Sequence, residues 1–204
     1  MPVPRPPLVL SAAVAPVVVA ASLAGSLVGS LGAAAPASAA TTVDCAAGPV
    51  VLGGVDQQFT LVGACTDVTV TGTGHTVALE SAANLFVQAS STTITASGAL
   101  GKVDLSGSGL TLTAPQAGRV ALGGSNGTLR VDRATTYVVQ GAGASVEGTS
   151  ARSLKLTGSS GRVAFRTLKV LRIKGAGNKA VVKAGRTKVS VSGASNVVRV
   201  NKRA

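Results

Sequence analysis

The chain of 204 residues has no tryptophan, one tyrosine and three phenylalanines. A core built from bulky aromatic side chains is therefore excluded, and Val, Leu, Ile and Ala must supply the interior. There is one histidine and only seven acidic residues, scattered as Asp44, Asp56, Asp67, Glu80, Asp104, Asp132 and Glu147. Paired carboxylates, nucleophile–base pairs and metal-ligand clusters all need a closer grouping than this. The sequence thus predicts a non-enzymatic protein with no cofactor and no metal site. His75 stands where other repeats carry Asn178 and Asn196, which gives it a turn role rather than a catalytic one. After residue 40 no apolar run reaches the ~20 residues needed to span a bilayer.

Residues 1–40 read as a secretory signal peptide. A single charge, Arg5, precedes apolar stretches around Leu8–Leu10 and Val17–Ala21, and the small-residue segment Ala33–Ala40 follows. Within it Ala37-Ser38-Ala39 satisfies the A-x-A cleavage rule. The expected location is secreted or cell-envelope associated, with no transmembrane span once the leader is removed. Two cysteines, Cys45 and Cys65, are the whole complement. An even count outside the cytoplasm predicts that they form a disulfide, capping the first coil together with residues 41–49.

What the chain has in abundance is periodicity. A small turn residue recurs at Gly54, Gly72, Ala89, Gly107, Gly124, Gly141, Gly158, Gly175 and Gly193, with successive differences of 18, 17, 18, 17, 17, 17, 17 and 18. Four before this anchor stand Val50, Val68, Leu85, Val103, Val120, Tyr137, Leu154, Leu171 and Val189. Two before it stand Leu52, Val70, Val87, Leu105, Leu122, Val139, Leu156, Ile173 and Val191. The columns five and seven after it run from Phe59 and Leu61 to Val198 and Val200, broken only by Ala96, Ala114, Gly148 and Ala180. No charged residue enters these four columns. A spacing of two within each pair is the strand period. A fifth column, ten after the anchor, reads Ala64, Ala82, Ala99, Ala117, Ala134, Ala151 and Leu168, which predicts a narrow inward corner.

One such repeat buries almost nothing, whereas stacked repeats bury each aliphatic column against its neighbours. The predicted fold is all-β: a single-domain parallel β-solenoid of about nine coils of 17–18 residues over residues 50–201, followed by a basic tail, 202–204. Parallel crossovers favour a right-handed course. Hexapeptide helices, calcium-binding rolls and helical repeats fit the column pattern less well.

The phrases Val68-Thr69-Val70-Thr71-Gly72-Thr73-Gly74-His75-Thr76-Val77, Leu171-Arg172-Ile173-Lys174-Gly175-Ala176-Gly177-Asn178 and Val189-Ser190-Val191-Ser192-Gly193-Ala194-Ser195-Asn196-Val197-Val198 follow a V-x-V-x-G-x-x-N-x-V pattern. In this the chain resembles a domain-of-unknown-function family of exported actinobacterial proteins built on that repeat. The resemblance spans roughly residues 44–200 and implies export and a β-solenoid; it supplies no activity.

Charge is the remaining signal. Residues 148–204 contain 14 Lys and Arg and no Asp or Glu, whereas residues 41–147 contain four basic and seven acidic residues. Period 17 aligns Arg152, Lys169 and Arg186 in a corner column, and it stacks Lys155 on Arg172, Arg162 on Lys179 and Arg166 on Lys183. Ladders of like charge about 5 Å apart repel unless occupied. They could grip an anionic cell-wall polymer, an acidic polysaccharide or lipid headgroups. The same cations could instead guard an open sheet edge and promote solubility. Specific nucleic-acid reading is not expected, because aromatic stacking partners are nearly absent.

The sequence therefore predicts a structural or adhesive cell-envelope protein. The alternative is a self-assembling or partner-docking module. A third reading is an ice-binding surface, drawn from the outward column Thr76, Thr93, Thr111, Thr128 and Ser145, with Thr95 and Thr113 beside it.

Overall fold

A computed structural model describes Val17, Val18 and residues 40–201. The rest of the predicted leader and the tail 202–204 lie outside the described residues. The chain forms one parallel sheet wound into a β-solenoid of about nine turns. The strands are β1 (Val17–Val18), β2 (Thr41–Asp44), β3 (Val50–Leu52), β4 (Gln58–Thr73), β5 (Thr76–Ser90), β6 (Thr93–Ala96) and β7 (Ala99–Ser106). They continue as β8 (Thr111–Leu122), β9 (Thr128–Val139), β10 (Ser145–Leu156), β11 (Arg162–Lys174), β12 (Lys179–Ala184), β13 (Lys188–Ser192) and β14 (Val197–Val200). A 3-10 turn, Cys45–Ala47, is the only helical element among the described residues.

Pairing joins each coil to the same positions one coil on. Between β8 and β9, Val120 pairs with Tyr137 and Leu122 with Val139; between β9 and β10, Tyr137 pairs with Leu154 and Val139 with Leu156. Every one of these six side chains is at most 1% exposed. This is the stacking that the equal spacing predicts, and it carries the hydrophobic term of the fold at ~25 cal/mol per Å² of apolar surface removed from water.

The corner column differs from its predicted membership at two places. Cys65 pairs with Ala82 and Ala82 with Leu100, so Cys65 and Leu100 occupy the buried corner while Ala64 and Ala99 are exposed. Both belong to 18-residue coils. Each such coil takes up its extra residue at or just before this corner, between Leu61 and Ala64, between Ala96 and Leu100, and between Ala184 and Lys188. Gly63 and Gly185 take positive φ in two of these bulges.

The turns explain the anchor column. A Cβ on Gly72, Gly107, Gly124, Gly141, Gly158, Gly175 or Gly193 would overlap the carbonyl oxygen of the anchor one coil earlier. Two residues beyond the anchor, all nine turns pass through the left-handed region. Gly74, Gly109, Gly143 and Gly177 do so freely, and Asp56, Ser91, Asn126, Ser160 and Ser195 do so with φ between 50 and 57°. Asp, Asn and short polar residues tolerate that conformation best among non-glycines.

The residue after that turns inward and builds a polar ladder at each end of the rod. The Gln57 N–H donates to His75 Nδ1 and the His75 N–H to Thr92 Oγ1. His75, 1% exposed, also contacts the Thr71 carbonyl through Nε2 at 2.9 Å. Further on, Gly161 N–H donates to Asn178 Oδ1 (2.8 Å) and Asn178 N–H to Asn196 Oδ1 (3.1 Å). Between these ladders Leu110, Gly127 and Ala144 hold the same column. The predicted turn role of His75 is thus a specific one: its ring accepts the backbone N–H of the coil before it.

The first coil is closed by the disulfide Cys45–Cys65, with Cα atoms 4.8 Å apart. Cys65 heads the corner column, so the bond ties the 3-10 turn to that column's open end. At the other end β13 and β14 have no strand beyond them among the described residues. Val189 and Val191 are 39% and 42% exposed there although their counterparts in earlier coils are core, and Val197, 48% exposed, continues the outward column of Arg162 and Lys179.

Candidate functional site

The basic half lies on β10 to β14. All nine cations singled out by the sequence are exposed: Arg152, Lys155, Arg162, Arg166, Lys169, Arg172, Lys179, Lys183 and Arg186. Within the strands, alternation with core neighbours such as Leu154, Val163, Leu171 and Ala180 turns these side chains outward, whereas Arg186 lies between β12 and β13.

The structure sorts them onto different sides of the coil. Lys155 pairs with Arg172 on one ladder, and Arg162 pairs with Lys179 on the other. Arg162 and Lys179 share a shallow hollow with Ser145 and Glu147. Arg166 and Lys183 lie between the paired positions Phe165–Val182 and Thr167–Ala184. Arg152 and Lys169 stack at the corner, between Ala151–Leu168 and Ser153–Val170. Arg186 falls in the extra residue of an 18-residue coil, so strict pairing stops before it: Thr167 meets Ala184, then Val170 meets Lys188. It nevertheless lines the same corner hollow as Arg152 and Lys169, together with Ser150 and Thr167. At this corner three predicted cations and two hydroxyl residues line a common concavity.

Ion pairing does not neutralise this surface. Among the described residues the salt bridges are Lys102–Asp104 at 2.8 Å and Arg130–Glu147 at 3.5 Å, both before residue 148. Adjacent rungs of a parallel sheet are about 4.8 Å apart, so neighbouring cations repel one another across the ladder unless an anion sits between them.

Sequence reasoning missed several contributors. Arg133 pairs with Ser150, beside the corner, and Lys174 pairs with Ser192, two residues beyond Arg172 along β11. Lys188 and Arg199 lie on the terminal strands. The signal for Arg133 was available, since Ser150 follows it by 17. For Lys188 it was not, because an 18-residue step separates it from Val170.

The predicted hydroxyl column is continuous in the structure. Gln58, Thr76, Thr93, Thr111, Thr128 and Ser145 pair in succession and then meet Arg162. The neighbouring column, Thr95–Thr113–Arg130–Glu147, ends in the ion pair already described.

Comparison with family models, with curated proteins and with solved structures finds no match to this chain.

Proposed function

We propose that this is an exported, non-enzymatic structural or adhesive protein of the cell envelope, whose basic C-terminal half holds anionic surface polymer. The A-x-A segment before residue 41 and the disulfide support an oxidising, extracytoplasmic setting. The resemblance to exported repeat proteins points the same way. One observation carries the binding reading: Arg152, Lys169 and Arg186 converge with Ser150 and Thr167 on one corner hollow, with no carboxylate among its lining residues. A row of fixed cations with low conformational freedom of the backbone attracts a polyanion more strongly than the same charges spread at random.

The test is retention on heparin or on a cell-wall resin. The chain should elute at clearly higher salt than a variant with Arg152→Ser, Lys169→Ser and Arg186→Ser. Equal elution of the two would remove the corner from the account.

A further inference from the structure

We infer that copies of this chain dock head to tail, the β14 edge of one against the β2 edge of the next. The inference goes beyond the binding of surface polymer and stands on separate residues.

The two ends of the rod are unfinished in complementary ways. Among the described residues, at the tail β14 pairs only with β12 and β13 only with β11; at the head β2 pairs only with β4, while β1 from the predicted leader pairs with β3. Each terminal strand therefore presents one unpaired row of backbone donors and acceptors, the template for strand addition. The columns also continue. Thr41 pairs with Phe59 and Val43 with Leu61 at the head, while Ala180 pairs with Val198 and Val182 with Val200 at the tail. Placing β14 beside β2 in the same parallel register sets Val200 over Val43 and Val198 over Thr41. Val43, Val198 and Val200 are each only partly buried against the core, and a further rung would finish their burial. The exposed Val189, Val191 and Val197 lie at the same end of the rod.

Charge selects the polarity. Residues 41–101 carry Asp44, Asp56, Asp67 and Glu80 and no Lys or Arg, while the tail carries only cations. Tail against tail would bring Lys188 and Arg199 of two copies together and repel. Head against tail brings the carboxylates to the cations. Because the two surfaces differ, such a contact is heterologous and does not close; it grows in one direction.

Two single variants test this. Val43→Lys sets a cation on the head against the basic tail, and Val200→Lys puts a charge into the apolar rung that Val200 would otherwise complete over Val43. The chain itself should form larger species as concentration rises from micromolar towards millimolar at low salt, and fewer at high salt. Each variant alone should stay monomeric. An equimolar mixture should give a dimer and nothing larger, because the intact tail of one variant meets the intact head of the other. Circular dichroism of each variant verifies that the rod is folded. A wild-type chain that stays monomeric throughout, or a mixture of folded variants that stays monomeric, overturns the inference. Self-dimerisation of Val43→Lys would show tail-to-tail contact and overturn it equally. Loss of heparin retention with assembly intact would instead sink the polymer-binding proposal alone.

Discussion

Phe165 fills the space that Gly148 leaves empty one coil earlier. A Cβ on Gly148 would stand 2.7 Å from Phe165 Cε1 and would also meet the Val131 carbonyl. Tyr137 closes the same region, its ring 5.4 Å from that of Phe165 in an edge arrangement and its hydroxyl donating to the Val131 carbonyl at 3.1 Å. The one gap in the apolar column is therefore a fitted one. Gly148→Ala should destabilise the fold, and Phe165→Leu in that background should recover only part of the loss, because the carbonyl belongs to a paired strand and cannot retreat. Phe165→Ala alone should cost about 3–5 kcal/mol. Urea unfolding of the single and double variants measures all three.

Tyr137 also gives the fold an alkaline limit. Burial, with the Asp132 charge adding to it, pushes its phenol well above the ordinary range. A group whose folded pKa is raised contributes stability that is complete below its unfolded pKa, about 10, and lost as pH rises beyond it. The stability difference between the native chain and Tyr137→Phe should therefore be constant up to about pH 10 and then move in favour of Phe, by up to ~1.4 kcal/mol per pH unit. A difference that stays flat to pH 11.5 or so would mean that the phenol ionises in the folded state as readily as in water.

The polar ladder is the second place where one side chain decides local stability. Asn178 accepts from the Gly161 N–H and donates to the Gly158 carbonyl at 2.9 Å. Leucine occupies the equivalent position at Leu110, so size is not the obstacle. Asn178→Leu should still cost about 1–3 kcal/mol, because it strands a buried N–H, and hydrogen exchange at Gly161 should quicken more than elsewhere. Asn178→Asp, which keeps the acceptor, should protect the Gly161 amide better than the leucine does.

Reduction of Cys45–Cys65 should act at the head first. The bond links residues 20 apart, which corresponds to roughly 3 kcal/mol in the chain-entropy model. Amides of β2 and β3 should lose protection while those of β9 and β10 keep theirs. Uniform loss along the rod would mean that the coils do not unfold as semi-independent layers.

The strand columns were legible in the sequence because a period of 17 leaves few ways to place apolar residues on one side. The left-handed turn position was not, since Asp56, Ser91, Asn126, Ser160 and Ser195 share a conformation and not a chemistry. The corner column was misread at Ala64 and Ala99 because an insertion of one residue is invisible until its place within the coil is known. The cation ladders were legible as spacings, but their division among sides of the coil depends on where each strand bends. Arg186 illustrates this: counting places it above Lys169, whereas the structure brings it to the same hollow through a bulge.

The proposed binding surface depends on the position of the cations and not on total charge. The direct measurement compares two variants of equal charge change on the same polyanion column. One carries Arg152→Ser, Lys169→Ser and Arg186→Ser; the other carries Lys102→Ser, Arg119→Ser and Arg130→Ser. A large fall in eluting salt is expected for the first and a small one for the second. Equal falls would contradict it, leaving the cations as a general coat on an open-ended rod.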